Sequence, residues 1–161
     1  MTEHIRLIWK KLDHLHLMGG YLSWSLAQVS QVVPIRDWGA LTPEQHESLA
    51  AFRVRFSEFQ EHLGKTMRAI AIEEEENPEP FGAVLAFMEK LGILDSAEHW
   101  KLIRELRNSV NHEYEENPVR LAEFFRLLIA ETPTLVGIFE RMAEYGRKAY
   151  GYPKANWEAS Q

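Results

Sequence analysis

The sequence predicts an all-α fold, an antiparallel bundle of four or five helices. Apolar residues recur at steps of three and four along most of the 161 residues, which is the spacing of one face of a helix. At Thr42-Pro43 and Asn117-Pro118 proline follows a residue that can cap a helix, and no run alternates as a strand does. With 45% hydrophobic residues the chain can bury a core, and its length suits one domain.

The first helix is predicted from an apolar stripe that begins at Ile5 and repeats every seven residues as far as Val33. Gly19 and Gly20 lie on this path, so a kink or break is expected there, because glycine weakens a helix. Pro34 ends the run and starts a connecting loop.

The second helix begins with a strong local signal. Thr42 is a candidate N-cap, Pro43 suits the first turn, and Gln45 completes a capping box. Its apolar stripe consists of Phe52, Phe56, Phe59, Leu63, Thr66 and Ile70. Two long amphipathic helices joined by a short loop predict an antiparallel hairpin.

Shorter helices follow the acidic end of the second one. A brief helix runs through "PFGAVLAFMEKLGIL", and Asp95 or Ser96 caps a fourth. Asn117 and Pro118 open a fifth, which Pro133 is expected to kink or split. Residues 1–150 are assigned to the bundle and residues 151–161 to an irregular tail, which lacks periodicity.

Composition excludes several functional classes. The chain has no cysteine, and therefore no disulfide, thiolate nucleophile or cysteine zinc site. We expect no metal, no cofactor and no membrane span, because histidine spacings do not suit a metal and no long apolar run exists. A cytoplasmic location is expected, since no signal-peptide pattern is visible. The net charge of −6 argues against broad nucleic-acid binding but leaves room for a local phosphate site.

The fourth helix carries the candidate site. At 100° per residue its core stripe is predicted to be Leu102, Ile103, Leu106 and Val110, with Arg107 at the edge. The neighbours of Arg107 on that edge are Trp100, Arg104 and Asn111. A guanidinium in such a partly desolvated position is well suited to hold a phosphate, because it stays charged and presents a fork of donors.

His112 follows Arg107 by five residues, which in a continuous helix places it about 140° away. The two side chains can converge only if the helix ends near Asn111, or if two chains build the site together. Tyr114, seven residues from Arg107, would share its face if the helix continued.

Arginine and histidine together suggest metal-free RNA cleavage. The ribose 2′-OH would attack the adjacent phosphorus, a histidine would transfer protons, and an arginine would stabilise the charge that develops. A two-fold dimer would supply a second histidine. On spacing alone the alternative stays open that Arg107 and His112 only interact with a helix dipole.

The stretch from Arg107 to Tyr114, "RNSVNHEY", resembles the Arg-x4-His-x-Tyr motif of HEPN-domain toxins of the HepT type, which pair with MNT nucleotidyltransferase antitoxins. The polar residue that the family favours directly after the arginine is present as Asn108. The resemblance covers roughly residues 81–130 and is only architectural over the first two helices.

This resemblance implies a homodimer with the motif in its interface and metal-independent endoribonuclease activity. It implies Arg107 and His112 as the catalytic pair, Asn108 as their support, and Tyr114 as the acceptor of AMP from the partner nucleotidyltransferase. Arg104 is a further candidate for contact with an RNA phosphate. Two other interpretations stay open: a non-catalytic HEPN module that binds substrate for a nucleotidyltransferase, and a plain helical interaction protein.

Overall fold

The computed structural model describes residues 1–110 and 117–154, and within these ranges it holds five α-helices and no strand. In chain order they are α1 (Glu3–Val29), α2 (Pro43–Glu73), α3 (Phe81–Lys90), α4 (Ala97–Asn108) and α5 (Pro118–Tyr150). A short 3-10 helix, Trp38–Ala40, lies in the loop between α1 and α2. The prediction of an all-α bundle is confirmed.

Helices α1 and α2 form the predicted antiparallel hairpin. His4, at the start of α1, is 3.0 Å from the carboxylate of Glu73 at the end of α2. Near the other end of the hairpin, the Arg55 guanidinium donates to the hydroxyl of the buried Ser25 at 2.6 Å. The two apolar stripes face each other between these contacts and supply much of the core.

Helix α5 packs against both helices of this hairpin, and its C-terminal end contacts the start of α1 and the end of α2. The Trp9 indole donates to the carbonyl of Tyr150 at 3.0 Å, and the Tyr150 hydroxyl donates to Glu74 at 2.7 Å. Beyond the helix, Tyr152 is buried and its hydroxyl bonds to Asp13. The irregular C-terminal segment therefore starts with residues attached to the bundle.

The helix starts follow local capping chemistry. Thr42 and Gln45 form the predicted capping box, with bonds of 3.1 and 2.9 Å. Of the two candidate caps for α4, Ser96 is the residue that makes the bond, and Asp95 lies outside the helix. Asn117 caps α5 through two backbone amides. These caps hold because each needs only residues that are close in sequence.

Two expected interruptions do not break their helices. Helix α1 passes through Gly19 and Gly20, and a Cβ at Gly19 would lie 3.5 Å from the Phe59 ring, so this glycine packs directly on α2. Pro133 lies inside α5, which is one helix, so the expected split is wrong. Apolar residues on both sides of Pro133 are buried, and this packing outweighs one lost backbone hydrogen bond.

The predicted core stripe of α4 is wrong at one position. Leu102 is 53% exposed, whereas Trp100 is only 3% exposed. Ile103 and Val110 are buried as expected. The large indole occupies the inward position in the first turn, and the helix is rotated accordingly, which brings the side of α4 that carries Arg107 towards α2.

Candidate functional site

Arg107 lies in the last turn of α4 and reaches across to α2. Its guanidinium is half-buried and donates to the backbone carbonyl of Ser57 at 3.2 Å. Burial lowers the pKa of Arg107, the nearby Glu61 carboxylate raises it, and the positive charge of Arg104 lowers it. The group remains a cation at neutral pH, and its remaining donors can bind an anion.

This arginine borders a cleft of about 360 Å³ between α2, the start of α3 and α4. The lining side chains are unusually cationic: Lys65, Arg68, Arg104 and Arg107 face a single carboxylate, Glu61. The contrast with the net charge of −6 is large, since acids outnumber bases over the whole chain. A cleft with several positively charged hydrogen-bond donors is suited to bind a phosphate ester.

The floor of the cleft is different in character, being aromatic and neutral. Gln60, Gly64, Phe81 and Trp100 form it. A Cβ at Gly64 would lie 3.4 Å from the Phe81 ring and 3.7 Å from the Trp100 ring, so the missing side chain lets both rings approach α2. The Arg68 guanidinium lies 5.1 Å from the centre of the Phe81 ring, which holds a planar cation beside the cleft.

The end of α4 is anchored by arginines from two other helices. Helix α4 ends at Asn108, and the two following carbonyls accept side-chain hydrogen bonds. Arg53 of α2 donates to the carbonyl of Val110, and Arg120 of α5 donates to that of Ser109. The chain therefore leaves the helical path before residue 111 and from an anchored position.

Two histidines pack against each other across the α1–α2 hairpin, and His62 lies on α2 next to the cleft-lining Glu61 in sequence. The rings of His14 and His62 meet edge to face at 5.1 Å. Burial lowers the pKa of His62, and the charges of Lys65, His14 and Lys11 lower it further. The opposing effect of the Glu61 carboxylate is smaller. His62 is thus held neutral to a lower pH than an isolated histidine.

Comparison with known proteins assigns no family: no protein-family model, no curated protein and no solved structure matches this chain. The resemblance of the motif to HEPN toxins therefore stays a prediction.

The predicted site residues fall into three groups. Arg107 and Arg104 line the cleft together, with Trp100 one turn before them on the same face. Asn108 is exposed and is not among the described residues that line the cleft. His112 and Tyr114 lie outside the described residues.

Sequence reasoning missed the α2 side of the cleft. Gln60, Gly64 and Arg68 are spaced by four and so share one helical face, with Lys65 beside them. The available signal was a pair of basic residues, Lys65 and Arg68, close to Gly64 and Gln60 on a helix that the sequence analysis assigned only to packing. It could not identify a cleft, because nothing in the spacing told which helix lies opposite.

Two further findings concern the described part of the chain. Within residues 1–110 and 117–154, no group of three or more histidine and acidic side chains could hold a metal ion. In the same ranges, no helix has the length and apolar character needed to cross a membrane.

Proposed function

We propose that this chain is an endoribonuclease of the HEPN type that cleaves RNA at the end of α4 without a divalent metal. The observation that carries the proposal is the cationic cleft in an acidic chain, with Arg107 and Arg104 at its edge. The end of α4 at Asn108 supports it, because a continuous helix would have carried His112 away from Arg107.

The proposed reaction is an internal transesterification. The ribose 2′-oxygen attacks the neighbouring phosphorus and loses its proton to a general base, while the bond from phosphorus to the 5′-oxygen breaks. A general acid returns a proton to that leaving oxygen. The products are a 2′,3′-cyclic phosphate and a 5′-OH, and neither water nor a metal is required for this step.

Arg107 and His112 have separate roles in this scheme. Arg107 binds the non-bridging phosphate oxygens and stabilises the extra negative charge of the five-coordinate phosphorane. His112 supplies acid–base catalysis, and a second copy of His112 from a homodimer supplies the other proton transfer. The dimer is supported by two exposed apolar residues that flank the motif, Leu102 at 53% and Val119 at 78% exposure.

A ribonuclease assay in EDTA tests the proposal. The purified chain should cleave a labelled single-stranded RNA, leaving cyclic phosphate ends, and His112→Ala should remove the activity without loss of helix content or dimerisation. Cleavage that is lost in EDTA and restored by magnesium would contradict the mechanism. A folded wild-type protein that binds RNA but never cuts it would favour the non-catalytic HEPN module, and one that does neither would favour a plain interaction protein.

The proposed switch is AMP transfer to Tyr114 by a partner nucleotidyltransferase antitoxin. The added phosphate could pair with Arg104 or Arg107 and occupy the position of an RNA phosphate. Incubation with that enzyme and ATP should add the mass of AMP, and RNA cleavage should fall. The mass should not change in Tyr114→Phe, and a modified protein with full activity would remove Tyr114 as the switch.

A further inference from the structure

The neutral floor of the cleft contains buried polar atoms without partners among the described residues. Gln60 is only 2% exposed, yet neither its amide nitrogen nor its amide oxygen makes a hydrogen bond there. The indole nitrogen of Trp100, a residue 3% exposed, is also without a partner in the described ranges. Buried polar groups are nearly always paired, so these unpaired atoms on two residues that line the cleft point to a ligand.

We infer that the cleft is an adenine subsite, in which Gln60 and Trp100 bind the base while the cations at the rim hold its phosphate. A glutamine amide pairs with adenine through two bonds, donating to N7 and accepting from the N6 amine. The Trp100 N–H then has a further ring nitrogen of adenine, N1, as an acceptor. The two residues thus offer two donor atoms and one acceptor atom, and N7, N1 and N6 of adenine present two acceptor atoms and one donor atom.

The surrounding residues suit a flat nucleobase better than a second anion. Phe81 and the Arg68 guanidinium beside it are planar groups on which a base can stack. Gly64 lets the Phe81 and Trp100 rings lie directly against α2. The volume of about 360 Å³ lies within the usual range of small-ligand pockets, roughly 300–1,000 Å³. The positive charge lies on long side chains at the rim, where the phosphate of the same nucleotide would lie.

This subsite rests on the proposed function in one respect: it makes the enzyme select adenine at a nucleotide next to the phosphate that Arg107 holds. The adenine itself could come from an RNA strand or from a free nucleotide, since both present the same base and phosphate. Binding experiments can separate the base preference from catalysis, because they need no cleavage.

The test measures binding of four homotrinucleotides, rA3, rC3, rG3 and rU3, and of free AMP to the full chain carrying His112→Ala, which prevents cutting. We expect rA3 to bind about tenfold or more tighter than the other trinucleotides. Gln60→Leu should reduce this preference to less than twofold, and Trp100→Phe should weaken it, because it removes the indole N–H while keeping an aromatic side chain. Equal affinity for rA3 and AMP would assign a free nucleotide as the ligand, and tighter binding of rA3 would assign a strand.

Gln31→Leu is the matched control, because Gln31 is exposed in the turn after α1 and is not one of the residues that line the cleft. Gln60→Leu should also raise the midpoint of thermal unfolding, since it replaces an unpaired buried amide by an apolar side chain of similar size. A clear fall in that midpoint would show that Gln60 has a structural partner and would overturn the inference.

Equal binding of all four trinucleotides by the His112→Ala protein, or an unchanged preference in Gln60→Leu, would also overturn it. Cleavage of RNA without base preference would refute the subsite and leave the ribonuclease proposal standing. An adenine preference in a protein that never cleaves RNA would support the subsite and refute the ribonuclease proposal.

Discussion

Replacement of Arg107 gives the sharpest test of the site, because its guanidinium donates to a backbone carbonyl and, in the proposed reaction, also binds a phosphate. One N–H donates to the Ser57 carbonyl at 3.2 Å, and this bond positions the group at the cleft. The other four N–H donors of a guanidinium remain for a phosphate. A lysine at this position has three donors on a point charge and cannot hold the carbonyl and two phosphate oxygens with the same geometry.

The size of the effect follows from the bonds that are lost. Hydrogen bonds to charged groups contribute about 1.5–3 kcal/mol each, and removal of one donor to a developing oxyanion typically costs roughly 10²–10³ in kcat. We therefore expect Arg107→Ala to lower kcat by about 10²–10³, and Arg107→Lys to lower it by about tenfold or more. KM should change less than kcat, because the phosphorane carries more charge than the substrate.

The assay is single-turnover cleavage of end-labelled RNA in EDTA, with helix content and thermal midpoint measured on the same samples. Arg6→Ala provides a charge-matched control on the exposed face of α1. Arg107→Met separates structure from function: it removes a partly buried charge, so stability should stay within about 1 kcal/mol while activity is lost. Cleavage by Arg107→Ala within twofold of wild type would refute the catalytic role, and a large loss of stability in Arg107→Met would make Arg107 a structural residue.

The other predictions concern the bundle that holds the site. Gly146→Ala should lower the free energy of unfolding by about 1–3 kcal/mol, since the new Cβ would lie 2.8 Å from the buried Leu12 Cδ1. Gly20→Ala, which has open space around the new Cβ, should raise it by up to about 1 kcal/mol. Equal thermal midpoints for the two variants would contradict the packing. Asn117→Ala should cost about 0.5–2 kcal/mol in urea unfolding, because two amides at the start of α5 lose their acceptor, and no change would mean that the cap contributes nothing. Burial lowers the pKa of His62, so below about pH 6.5 the unfolded chain takes up a proton that the folded chain does not. The free energy of unfolding should therefore fall as the pH drops below about 6.5. His62→Gln should lessen that fall, and an unchanged pH dependence in this variant would contradict the prediction.

Helix type and helix starts were predictable from the sequence because both depend on neighbours along the chain. The capping box at Thr42 and the Asn-Pro start of α5 at Asn117 are examples, since each needs only three or four consecutive residues. Failures came where packing across the bundle decides the outcome. The glycine pair in α1 and Pro133 in α5 both weaken a helix locally, but burial on α2 and on both sides of the proline outweighs that weakness.

The candidate site was predictable only on its α4 side. Spacing placed Arg104 and Arg107 on one face, and the structure brings both to the cleft. The α2 side could not be derived, because Gln60 and Arg68 line a cleft only through the packing of α3 and α4 opposite them. The prediction for Leu102 failed for a related reason: a hydrophobic stripe gives the period of a helix but leaves its rotation open, and the Trp100 ring decided that rotation.

The charge distribution constrains how such a protein could bind RNA. With a net charge of −6, most of the surface repels a polyanion at long range, so affinity must come from short-range contacts. The cleft offers four cations, which limits the phosphates neutralised there to about four and the dependence of log affinity on log salt to a slope no steeper than about −3. The rest of the affinity would have to come from stacking and from hydrogen bonds to a base. The cleft has cations at its rim, and the Gln60 and Trp100 polar atoms beneath them have no partner among residues 1–110 and 117–154. Such a cleft meets that requirement, because hydrogen bonds to a base would supply the affinity that the acidic surface withholds.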